Sequence, residues 1–110
     1  MSLQVHSLAL EAVTELRGVV ARVQRHDRVL ADQLRRALSS MALNLGEAAY
    51  SDPGNRRARL HTAAGSANES RSAIAVALAW GYVAEHETTV GLCLLDRVIA
   101  MTRRMFHPRV

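Results

Sequence analysis

From Leu8 onward the apolar positions Leu8, Ala12, Val13, Leu16, Val19, Val20 and Val23 recur at three- and four-residue intervals. That spacing lays them along one stripe of an α-helix and leaves Glu11, Glu15, Arg17 and Arg22 on its polar side. Asp27 follows Arg25 and His26 and has the side chain of a helix N-cap. Beyond it Leu30, Leu34, Ala37, Leu38, Met41, Leu45 and Ala48 carry a second stripe to about Tyr50. Ser51, Asp52 and Pro53 predict a turn, a cap and a proline at the first helical position, where a missing N–H costs no hydrogen bond. The third helix then runs to Trp80, and Gly81 ends it. After Ala84, the positions Val90, Leu94, Leu95, Val98, Met101 and Met105 mark a fourth helix that stops before Pro108.

Residues 73–80 carry a competing signal, because Ile74, Val76, Leu78 and Trp80 alternate with small residues as a strand would. Alanine, which fills the alternate positions, is the best helix former and a poor strand former. On a helix the same residues make two stripes, Ile74 with Leu78 and Val76 with Trp80, one to face the core and the other a neighbouring subunit. Four helices with short joints predict an all-α, antiparallel up-down four-helix bundle in which residues 1–110 form one domain.

Composition sharpens this picture. Hydrophobic residues make up 49% of the chain and aromatic ones 4%, so the core is built from Ala, Leu and Val, and apolar surface is left over for self-association. The net charge is +4, and every cation is Arg. That balance suits an anionic partner, while the exclusive use of Arg is equally the mark of a GC-rich coding sequence. A single cysteine, Cys93, leaves no intrachain disulfide and predicts a reducing, cytoplasmic location. Neither a secretory leader in the first ten residues nor a bilayer-spanning run is visible.

The up-down topology brings the turn between the second and third helices and the end of the fourth helix together. It gathers Arg56, Arg57, Arg59, Arg103, Arg104 and Arg109 at one end of the bundle against few acids. Arginines in the first turns of a helix oppose its macrodipole by roughly 0.3 to 1 kcal/mol each, so folding does not ask for Arg56, Arg57 and Arg59 there; they are read equally as a phosphate site or as a solvated charge run. Arg103 and Arg104, at a helix C-terminus, are, taken alone, routine stabilisers of that end. The other end mixes Arg22, Arg25 and Arg28 with Asp27, Asp32, Glu85 and Glu87. Asn44 with Glu47 and Ser66 with Glu69 lie three apart on the second and third helices and are read as a hydrogen-bonded structural core that fixes helix register. The same carboxylates are the only basis for an enzyme, the weakest of the functional readings. A di-metal bundle site needs Glu-x-x-His pairs, and none of the glutamates has a histidine three residues on. His6, His26, His61, His86 and His107 show no ligand spacing, so no metal or cofactor is called for. Gly65, beside Ser66, is read as a point of close helix approach.

Four segments carry a family resemblance: Gln33-Leu34-Arg35-Arg36-Ala37, Asn44-Leu45-Gly46-Glu47-Ala48, Ala64-Gly65-Ser66-Ala67-Asn68-Glu69 and Ala79-Trp80-Gly81-Tyr82-Val83. In this order and spacing the chain resembles the four-helix bundle proteins encoded by intervening sequences in large-subunit ribosomal RNA genes. The resemblance implies an up-down four-helix bundle assembled into a homopentameric ring or barrel, in a fold shared with accessory proteins of diversity-generating retroelements, which bind nucleic acid or a reverse transcriptase through a basic surface. The family usually has Ala-Glu-Gly where this chain has Gly46-Glu47-Ala48. Two functions follow: a homo-oligomer that binds nucleic acid, RNA before DNA, through Arg56, Arg57, Arg59, Arg103 and Arg104; or an assembly adaptor for a protein such as a reverse transcriptase.

Overall fold

The computed structural model describes residues 3–106 as four α-helices: α1 (Leu3–His26), α2 (Arg28–Ala48), α3 (Pro53–Trp80) and α4 (Glu85–Phe106). Joints of one to four residues force each helix to run antiparallel to the one before it. α1 and α3 each pack against α2 and α4, which gives an up-down bundle measuring 44 × 21 × 19 Å. None of the helices is long and apolar enough to cross a membrane, among the described residues.

The caps act where the sequence places them. Asp27 adopts an extended backbone, and its Oδ1 accepts the Leu30 N–H at 3.0 Å. Asp52 accepts the Asn55 N–H at 3.0 Å, with Pro53 as the first helical residue of α3. Gly81 takes φ 78°, in the left-handed region, so that its N–H reaches the Leu78 carbonyl and the Tyr82 N–H reaches that of Ala77. A Cβ on Gly81 would touch nothing within 4 Å, so backbone strain alone sets the cost of replacing it. Gly81→Ala is expected to lower stability by about 1 kcal/mol in thermal or denaturant unfolding.

α1 begins earlier than its apolar stripe suggests. Val5, Leu8 and Ala9 are buried, and polar neighbours at positions 4, 6 and 7 hide this turn in the sequence. α2 ends at Ala48, because Tyr50 and Ser51 close tighter bonds onto the Glu47 and Ala48 carbonyls, which leaves Tyr50 in solvent. Residues 73–80 are helical: Ile74 is fully buried and Leu78 packs against the core, while Val76 and Trp80 face outward. Val90 corrects the reading of α4, since it is 56% exposed and Thr88, Gly91, Leu94 and Leu95 make the inward face. Pro108, Arg109 and His107 lie outside the described residues.

The core is thin, as the composition requires. Leu16, Leu34, Met41, Leu45, Ile74, Leu95 and Val98 are fully buried, and α3 fills the remaining space almost wholly with Ala and Ser. Gly65 is exposed with nothing near its missing Cβ, so it is not the glycine of close approach. That part belongs to Gly91, against the side chain of Leu16, and to Gly46, against the imidazole of His6. Thr102 is fully buried, and its Oγ1 finds no hydrogen-bond partner among the described residues. A buried hydroxyl left unpaired costs about 1 to 3 kcal/mol. Thr102→Val, which keeps the shape and removes the hydroxyl, is therefore expected to raise stability by about 1 kcal/mol, seen as a higher Tm.

Candidate functional site

The start of α3 and the end of α4 are fastened together. The His61 ring stacks on Phe106 with centroids 4.0 Å apart and planes 7° from parallel, and Phe106 is buried. Pro53, Arg56, Arg57 and Leu60 line a small cleft with Met105 and Phe106. This packing brings the first turns of α3, with Arg56 and Arg57, beside the last turn of α4, with Arg103 and Arg104. Arg57, Arg103 and Arg104 are exposed and have no ion pair among the described residues. Arg56 is half-buried; one Nη donates to the Ser51 carbonyl at 3.5 Å, while its Nε is buried without a partner.

Arg59 departs from the expected cluster. Two residues along a helix turn the side chain by about 200°, so Arg59 points away from Arg57. It forms an ion pair with Glu47 and donates to the Asn44 Oδ1 at 3.3 Å. Its charge is spent between α2 and α3 and adds little to the basic end. Asp52 is the remaining acid of these turns. The Asn55 N–H, then the Asn55 side chain, hold its carboxyl below the ordinary carboxylate value, so it is ionised at neutral pH and caps α3.

The expected polar core is built from different members. Asn44 donates to the Ser40 carbonyl at 2.8 Å and to its hydroxyl at 3.2 Å, and the buried Ser66 hydroxyl donates to the Ser40 hydroxyl at 2.9 Å. α2 and α3 are thus joined through Ser40 and Arg59, neither of which was assigned to that core from the sequence. Ser40 lies one helical turn before Asn44, and that spacing was the available signal. Glu47 is exposed apart from its pair with Arg59. Glu69 is exposed and unpaired among the described residues, so it is no part of a core: its position on α3 turns it to solvent while Ser66 and Ser70 turn inward.

The remaining arginines divide. Along the sides, Arg35 and Arg36 share Asp32, and Arg71 pairs with Asp96 at 3.0 Å. At the far end Arg22 pairs with Glu87 at 3.3 Å, while Arg25 and Arg28 are exposed and carry no ion pair among the described residues. No group of three or more His, Cys, Asp or Glu residues is placed to hold a metal ion, among the described residues. Between α1 and α2 runs a largely apolar groove of 300 Å³ lined by Val13, Val20, Ala21 and Leu38 together with the polar Arg17, Gln24, Arg35 and Ser39. Leu10 and Leu43 are exposed on the same two helices.

A crystal structure of a protein of unknown function from the S23 ribosomal protein family of Bacteroides thetaiotaomicron superposes with a TM-score of 0.85. The alignment covers 93% of this chain and 97% of that one at 15% sequence identity, a likeness of fold. No curated protein matches the sequence. The family model of the 23S rRNA-intervening sequence protein matches residues 1–104. The chain, matched over nearly its whole length, belongs to the 23S rRNA-intervening sequence protein family.

Proposed function

We propose that this protein is a non-enzymatic, cytoplasmic homo-oligomer, a pentamer as the family resemblance implies, whose Arg-rich end binds RNA. The observation that carries the reading is the docking of the α3 start on the α4 end, which puts Arg56 and Arg57 at the same end of the bundle as Arg103 and Arg104. Arg56 and Arg57 stand where the helix dipole disfavours them, and a phosphate at that helix terminus would reverse the sign of the interaction. The family is named for an intervening sequence of 23S rRNA. Self-assembly is supported by the largely apolar groove between α1 and α2 and the exposed Leu10 and Leu43, which a second copy would cover. Around a ring, one modest patch repeats into a continuous basic rim that displaces several counterions from a nucleic acid.

The test is a titration of a structured RNA with the wild-type protein and with an Arg57→Ala/Arg103→Ala/Arg104→Ala variant, the assembly state of both being followed by sedimentation. Salt-sensitive binding that the variant loses while still assembled is the expected result. Absence of wild-type binding at low salt overturns the reading and leaves the adaptor for a protein partner, such as a reverse transcriptase, as the function to pursue.

A further inference from the structure

Three of the chain's few rings meet at the end of the bundle opposite the arginine cluster. The Tyr82 ring lies within 5° of parallel to that of His26, with centroids 5.1 Å apart, and within 11° of parallel to that of Trp80, at 6.1 Å. These residues come from the last turn of α1, the last turn of α3 and the joint between α3 and α4, so only the folded chain brings them together. Two hydrogen bonds position Tyr82. The Tyr82 N–H is bonded to the Ala77 carbonyl at 2.9 Å, and its hydroxyl donates to Asp27 at 3.5 Å, the carboxylate that also caps α2. Trp80, the chain's only tryptophan, is 69% exposed and contributes nothing to the core.

A helix end has no structural need of an exposed indole, and the charges around it are selective. Arg25 and Arg28 flank the His26–Asp27 turn and carry no ion pair among the described residues, whereas Asp27 is engaged by a cap and a hydroxyl and Glu87 by Arg22 and the Ala84 N–H. Among the described residues Glu85 is the one acid there whose side chain is not engaged. Parallel rings with arginines one and two residues from His26, unpaired among the described residues, form the combination that holds single-stranded nucleic acid, with bases on the ring faces and phosphates on the cations. We infer that the Trp80–Tyr82–His26 end is a stacking site for an unpaired nucleobase of a single-stranded RNA segment, with Arg25 and Arg28 contacting its phosphates. This site is independent of the Arg56–Arg104 end: the 24 residues of α3 from Arg56 to Trp80 separate the two by about 36 Å.

Because Trp80 is the only indole, its fluorescence reports the site directly. A six-nucleotide uridylate RNA added to the wild-type protein is expected to quench it, and inorganic polyphosphate of matched charge to leave it unchanged. With a labelled form of the same oligonucleotide read by anisotropy, Trp80→Ala is expected to weaken binding roughly 5- to 150-fold, the range for loss of one base–aromatic stack. Two phosphate contacts predict a shallow salt slope of about −1.4, which Arg25→Ala/Arg28→Ala abolishes. The Arg57→Ala/Arg103→Ala/Arg104→Ala variant is expected to retain the quenching, so failure at one end is distinguishable from failure at the other. Three results overturn the inference: no quenching at low salt, equal quenching by polyphosphate, or a Trp80→Ala protein that changes its assembly state, which would make this face a contact between copies of the chain.

Discussion

Gly91→Ala is expected to destabilise the bundle by about 1 to 3 kcal/mol, whereas Gly18→Ala and Gly65→Ala, on the same kind of backbone, are expected to stabilise it by up to about 1 kcal/mol. All three glycines sit inside helices, where alanine is intrinsically the better residue. The difference is what a Cβ meets. At Gly18 and Gly65 it meets nothing within 4 Å; at Gly91 it falls inside the side chain of Leu16, itself fully buried. Leu16 cannot swing into solvent without leaving the centre of the core, so the overpacking outweighs the gain in helix propensity. Leu16→Ala alone opens a cavity and is expected to cost about 2 to 5 kcal/mol. In the double variant the new methyl fills part of that cavity, so its cost falls short of the sum of the two. Denaturant unfolding of the four proteins measures this. Strict additivity would mean that Leu16 and Gly91 do not touch.

The largest effect on binding is expected at the basic end. Arg57→Ala/Arg103→Ala/Arg104→Ala removes three exposed guanidinium groups that carry no ion pair among the described residues. Each phosphate contact contributes about 0.9 to the salt slope, so three contacts amount to about a 10²-fold loss of affinity at 0.15 M salt relative to a 1 M reference. Arg59→Ala serves as the internal control. Its guanidinium is neutralised by Glu47 and bonded to Asn44, so its removal is expected to change RNA affinity less than any of the three. A loss through Arg59 equal to that through Arg57 would show that the α2–α3 polar cluster, rather than the end of the bundle, meets the RNA.

Helix periodicity and end signals carried most of the architecture. Asp27, Asp52 with Pro53, and Gly81 fix three of the boundaries through local chemistry that needs no tertiary context, and each caps or ends a helix as its side chain dictates. The misassigned positions are those where a neighbour decides. Val90 fits a stripe by spacing, but the inward face of α4 is chosen by the approach of α1 at Gly91. Gly65 and Gly91 are indistinguishable as letters, and only packing shows which of them has a leucine against it.

Charge was legible as a gathering of arginines and illegible as a pattern of pairing. The short joints predict which helix ends meet, so Arg56, Arg57, Arg103 and Arg104 fall together as the topology requires. That Arg59 turns back to Glu47 depends on the rotation of α3 against α2, which a one-residue shift would reverse. The aromatic cluster at the other end was equally hidden, since His26 and Tyr82 are far apart in sequence and acquire a shared plane only in the fold.

The proposal that the Arg-rich end meets RNA through phosphates is tested most directly by the salt dependence of wild-type affinity for one structured RNA. Three or more contacts predict that log K falls linearly with log salt at a slope of about −2.7 or steeper, and that the Arg57→Ala/Arg103→Ala/Arg104→Ala variant flattens this by nearly the whole amount. A slope near zero, or one that the variant leaves unchanged, would contradict it.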